Sequence, residues 1–286
     1  IIKMKQIDFD HGTVTGNILG VALPMLVAQI LSLLYNIVDR IYIARIPSVG
    51  TTALGAVGLC FPIIVIITAF SNLFGSGGAP LFSINRGKGN IKKAEAIMNT
   101  SFSMLCICGV ALMVIGMLFA SPILVLFGAS EEGLSYAYPY MMIYLIGTVP
   151  SMIATGMNPF INAQGYATSG MLSVTIGAVA NLILDPLFIF GLNLGIKGAA
   201  IATIISQTLS AAYVFYFLRK KAELKVRVLS KGEWKACRDD AKNIVSLGSA
   251  GFIMQLTNSL VTICCNSVLS GIGGDVYISV MTIVSS

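Results

Sequence analysis

The sequence predicts an all-α fold, a polytopic bundle of transmembrane helices, and three observations carry the prediction. Of the 286 residues 56% are hydrophobic and only 10% charged, with a mean hydropathy of +0.87, whereas soluble domains carry about 25% charged residues. The apolar residues come in runs long enough to cross ~30 Å of hydrocarbon at about 1.5 Å per residue. The basic residues gather in alternate connections between those runs, the pattern of a chain threaded repeatedly through a bilayer.

Taken in order, the apolar runs predict spans at 16–44, 54–80, 96–120, 136–160, 169–191, 197–218 and 243–270, with an eighth beginning near 276. The first twelve residues are polar and lack an apolar h-region, so the first span is expected to act as its own signal. Fifteen of the 18 Lys and Arg lie in three places: the N-terminus (Lys3, Lys5), the second–third connection (Arg86, Lys88, Lys92, Lys93) and the sixth–seventh connection, 219–242. One side of the membrane accommodates all three, and the positive-inside rule makes it the cytoplasm, with the N-terminus there. The net charge of +6 is therefore mostly topological. Basic residues spread over connections, with few aromatics among them, argue against nucleic acid as a partner.

Leu19-Gly20-Val21-Ala22-Leu23 and Leu247-Gly248-Ser249-Ala250-Gly251 resemble each other in register, each opening a long span. A repeat at that offset divides the chain into a six-span lobe, 1–218, a basic linker, 219–242, and the incomplete start of a second lobe, 243–286. Chance similarity between two apolar helices is the competing reading.

Two acids fall deep within apolar runs: Asp39, in Tyr35-Asn36-Ile37-Val38-Asp39-Arg40, and Asp185, in Asn181-Leu182-Ile183-Leu184-Asp185-Pro186. An ionised carboxylate costs a few kcal/mol in mid-bilayer even on lenient scales, so such residues face a cavity or a partner. Asn181 and Asp185, four apart, share a helix face, as do Asn36 and Asp39. Oxygen donors of this kind suit a hard cation such as Na⁺, while two close carboxylates alternatively force one to keep a proton. Taken singly, Asp39 could be an acid snorkelling beside Arg40, and Asp185 a helix-end residue; the pair together favours a shared site. Pro24, fifteen residues before Asp39 in the first span, removes a backbone hydrogen bond and permits a kink. The run Gly75-Ser76-Gly77-Gly78 either unwinds the second span or packs it tightly. Tyr138, Tyr140 and Tyr144 suit a pocket lining or an interfacial belt equally. The six cysteines show no C-x-x-C spacing and read as packing residues. The single His11 lies outside the spans, and no nucleophile–base pair points to an enzyme.

In sequence order, Pro24, the Tyr35 to Asp39 run, Leu54-Gly55-Ala56-Val57-Gly58, Asn85-Arg86-Gly87-Lys88-Gly89, Asn162-Ala163-Gln164-Gly165 and Asn181-x-x-x-Asp185-Pro186 resemble the multidrug and toxic compound extrusion (MATE) family, in its prokaryotic DinF-like branch. The resemblance implies twelve helices in two six-helix lobes of the MATE/MOP type, so this chain is expected to cover the first lobe and the opening of the second, and to be inactive alone. It implies export of an organic cation by antiport with Na⁺ or H⁺, with no cofactor beyond the coupling ion. Carried over by position, it makes Asp39, Asn181, Asp185 and Thr203 the cation-binding cluster, gives Asn158 a place near the cavity that Asn36 could also line from its face beside Asp39, and makes Pro24 the hinge. No metal beyond Na⁺ at the cluster is implied. The expected setting is a bacterial or archaeal plasma membrane, with lipid and substrate as partners and a monomer at full length. A lipid-linked oligosaccharide flippase of the same superfamily is the alternative, weakened because only Arg40 and Arg45 could supply a cationic cavity.

Overall fold

A computed structural model describes residues 6–7, 12–47, 49–229, 232–233 and 237–284. Helix α1, Val14–Ala44, starts at Thr13, whose side chain accepts from the Gly16 amide at 3.2 Å. Helix α2 is Gly50–Gly87 and α3 is Ile91–Leu118, the latter capped by Asn90. Helix α5, Glu131–Ile146, begins at Ser130, which caps the Gly133 amide at 2.9 Å, and Glu131 and Glu132 complement the positive end of the helix dipole. Then come α6, Thr148–Ala163, α7, Ala167–Pro186, and α8, Gly195–Lys220. The last described element, α9, is Arg238–Val284, broken at Gly274 with φ 61° and ψ −155°. Six of these helices are long and apolar enough to cross a membrane, and α5 with α6 makes a seventh span if the bent pair counts as one. The chain is thus an all-α, multi-pass membrane protein, as its sequence predicts.

Three expectations need correction. The fourth span, 136–160, is two helices meeting at 56°. Pro150 lies in the first turn of α6, where its missing N–H leaves the Ile146 carbonyl without a helical partner, and Gly147 absorbs the bend. The connection at 121–135 contains a two-turn helix, α4, Ala120–Leu126. The fifth span ends in a wide π turn, Leu187–Gly191, directly after Asp185 and Pro186.

Helix α2 is the hub of the bundle and the Gly75–Gly78 run is the reason: it packs tightly and does not unwind. A side chain at Gly75 would meet the Gly156 carbonyl of α6 at 2.4 Å, one at Gly78 would meet Ser101 of α3 at 2.3 Å, and one at Gly77 would meet the Ile244 carbonyl of α9 at 2.3 Å. Below this junction Phe82 and Phe160, both fully buried, meet edge to face at 5.6 Å. Helix α9 lies antiparallel along α2, since Gly248 meets Leu73, Ser259 bonds the Pro62 carbonyl and Asn266 the Gly58 carbonyl. Past Gly274 the chain turns back, bringing Thr282 to the same Gly58 that Asn266 reaches. Helix α1 is different: it packs chiefly on α7, and Ile18, Leu23, Leu26, Ile30 and Leu34 are exposed, as lipid- or cavity-facing side chains would be.

The basic linker is half strap. Ala222, Leu224 and Val226 are buried while Lys221, Glu223, Lys225 and Arg227 are exposed, the alternation of an extended segment lying on an apolar surface. Gln164, wholly buried, accepts from the Leu224 amide at 2.9 Å and donates to its carbonyl at 3.4 Å. Asn99 accepts from the Arg227 amide at 2.8 Å, and Lys93 pairs with the buried Asp240 at 2.7 Å. Replacing Gln164 by Ala leaves two backbone groups of Leu224 buried without partners, at about 1–3 kcal/mol each. Limited trypsin digestion of Gln164→Ala is accordingly expected to cut at Lys225 and Arg227 at least about tenfold faster than in the parent protein.

Candidate functional site

Close packing of α1 on α7 brings Asp39 and Asp185 together. Asp185 sits in the last turn of α7, 1% exposed, and Asn181, one turn earlier and 3% exposed, donates from Nδ2 to its Oδ1 at 3.1 Å. The two carboxyl groups lie within hydrogen-bonding reach of each other. A bond between two carboxyls requires that one of them hold a proton, or else that a cation stand between them. Asp39 Oδ1, Asp185 Oδ2 and Asn181 Oδ1 are all enclosed, with no protein hydrogen-bond donor among the described residues. Three enclosed oxygens without donors form a set that a small hard cation or a proton satisfies, and that the apolar surroundings penalise otherwise.

Tyrosines enclose the pair. Tyr35 of α1 and Tyr140 of α5 both lie near both acids, and Cys60 of α2 is near Tyr140. Tyr140 and Tyr144 are 3% and 5% exposed, whereas Tyr138 is 41% exposed. The belt reading therefore suits Tyr138, and the pocket reading suits the other two. The hydroxyl of Tyr144 accepts from Gln207 Nε2 at 3.3 Å, and Gln207 Oε1 points toward Gly147 at the α5–α6 bend. Sequence reasoning did not single out Gln207, and nothing in the apolar run of α8 marks it except that it is an amide in a span.

The other anticipated residues are placed differently. Thr203, half-buried on α8, donates its hydroxyl to the Ala199 carbonyl at 2.9 Å within its own helix, leaving its lone pairs for another ligand. Asn36 is exposed and bonds back to the Ser32 carbonyl at 2.7 Å, so it does not converge with the acids as a shared helix face suggests. Asn158 is a tie between helices: Nδ2 donates to the Gly170 carbonyl at 2.9 Å and to Ser173 Oγ at 2.8 Å, and its Oδ1 accepts from Asn162 at 3.0 Å. Asn158→Leu is expected to lower stability by about 1–3 kcal/mol while leaving cation affinity within about threefold of the parent. Thermal unfolding together with cation titration checks both. Pro24 lies inside α1, which runs unbroken through it.

The protein-family model MatE matches residues 24–187, more than half of the chain and the stretch that holds Pro24, Asp39, Asn181 and Asp185. The chain belongs to the MatE family. Among its relatives is the multidrug export protein MepA of Staphylococcus haemolyticus, 27% identical over 93% of this chain and 58% of that protein. The FAD transporter of Shewanella oneidensis is 28% identical over 87% of this chain and 56% of that protein. Of solved structures, the MATE multidrug transporter DinF-BH superposes with a TM-score of 0.85 at 30% identity, covering 99% of this chain and 62% of that one. This MatE chain thus spans about 58% of the length of the curated relatives it matches.

Proposed function

We propose that this MatE chain carries the cation site of an exporter that moves organic, cationic compounds by antiport with Na⁺ or H⁺. The observation that carries the proposal is the contact of Asp39 with Asp185 across α1 and α7, with three enclosed oxygens facing no protein donor. Binding one cation there offsets the repulsion and desolvation of the two carboxylates, so the loaded site favours close packing of α1 on α7. With the site empty, α1 is held less tightly on its Asp39 side, and Pro24, fifteen residues away and without an N–H to bond the preceding turn, is the point at which it would bend. Antiport then needs only that cation and substrate prefer different arrangements of α1, a coupling typically worth about 1–3 kcal/mol. The two-lobe division at 218 and 243 and the monomeric state belong to the same proposal, as does the bacterial or archaeal plasma membrane. An N-terminus in the cytoplasm is supported by the clustering of Arg86, Lys93, Gln6 and the linker at one end of the bundle.

The test is transport in proteoliposomes by a protein of the relatives' length that contains these residues. Efflux of a fluorescent cationic dye, driven by an inward Na⁺ or H⁺ gradient, is the expected result. Movement of a labelled lipid carrier in place of the dye would favour the flippase alternative, and movement of neither under any gradient would overturn the proposal.

A further inference from the structure

Arg40 is a charged residue inside a membrane-spanning helix that the transport reading leaves without a role. It follows Asp39 directly and is electrostatically engaged with it. Its guanidinium lies 5.4 Å from the centroid of the Phe61 ring on α2 and donates to the Thr282 carbonyl on the returning segment of α9. An aromatic face on one helix and a carbonyl on another thus hold the cation in place. Arg45, the next basic residue on α1, is exposed at the helix end.

The other titratable groups facing the acids are Tyr35 from α1 and Tyr140 from α5, with Cys60 of α2 beside Tyr140. All are neutral near pH 7 in ordinary surroundings. The permanent charges of the cluster are therefore the two carboxylates and one guanidinium, which leave a net charge of −1 when both acids are ionised. One monovalent cation brings this to zero. A second would leave a net positive charge enclosed in apolar surroundings, a state the interior disfavours strongly. We propose that Arg40 is a fixed counter-charge that limits the Asp39–Asp185 site to one monovalent cation per cycle. This rests on the cation-site reading above and adds a stoichiometry to it.

Equilibrium binding of radiolabelled Na⁺ to the detergent-purified chain at alkaline pH tests the proposal. The parent chain should saturate at one Na⁺ per chain. Arg40→Gln removes the counter-charge, and is expected to saturate at two Na⁺ per chain. Arg40→Lys should behave as the parent. The double variant Arg40→Gln/Phe61→Lys, which returns a positive charge to the same place, should restore the parental count and affinity, as a merely structural role of Arg40 would not.

Saturation of Arg40→Gln at one Na⁺ overturns the proposal. So does a parental count of two, a result that needs no variant and stays decisive if Arg40→Gln does not fold. Binding that is unchanged in Asp39→Asn removes the cation site itself and with it this inference, an outcome distinct from a failure of the counting alone; absence of saturable Na⁺ binding by the parent overturns this inference and leaves the proton form of the site to the transport test above.

Discussion

Asp185→Asn is expected to reduce cation-driven dye efflux by about 100-fold or more, equivalent to about 2.8 kcal/mol at 1.4 kcal/mol per decade, with membrane insertion unchanged. The substitution keeps the shape of the side chain and its bond with Asn181, but removes the charge that a cation would balance. Asp39→Asn is expected to do the same, because the two acids act as a unit and each alone presents too few oxygens. The double variant should therefore be little worse than either single one, the non-additivity of residues sharing one site. Rates of efflux in proteoliposomes under Na⁺ and pH gradients measure this. Efflux retained within about threefold in both single variants would remove the coupling role of the pair.

The second large effect is on stability. Gly248→Leu should lower the thermal unfolding midpoint in detergent by about 5 °C or more, because a side chain there meets the Leu73 carbonyl of α2 at 2.1 Å. The obstacle is backbone, so relief requires that α2 and α9 move apart. Separation would also break the approach of Gly77 to Ile244 and the contact of Phe70 with Phe252, whose centroids lie 4.8 Å apart. Gly251→Leu, three residues further along the same helix, is the control: nothing lies within 4 Å of its side-chain position, and the midpoint should hold within about 1 °C.

Much of this architecture is legible in the residues. Hydropathy alone locates the long helices, because a bilayer leaves few alternatives to a continuous apolar run. Asp39 and Asp185 stand out for the same reason, as charges where charge is costly. What escapes is local geometry. The bend at Gly147 has its cause in Pro150, yet that proline lies in a first-turn position where it is equally at home in a straight helix. The strap at 221–227 shows a period-two alternation that nine basic residues in 219–242 disguise as a solvated loop. Asn36 and Asn158 could not be told apart from ligands by residue type, since an amide in a span satisfies itself equally well on a neighbouring backbone. Tyr140 and Tyr144 differ from Tyr138 in lying on the side of α5 that faces the bundle, and this depends on packing against α2 and α8.

The central claim is that Asp39 and Asp185 share one cation or one proton, and infrared difference spectroscopy of the purified chain reports on it directly. Addition of Na⁺ at neutral pH, or a step to alkaline pH, is predicted to bleach the carbonyl band of a protonated carboxylic acid, and the bleach is predicted to vanish in Asp39→Asn and in Asp185→Asn alike. A bleach that persists in both variants, or the absence of any carboxyl change on adding Na⁺ or raising the pH, would contradict it.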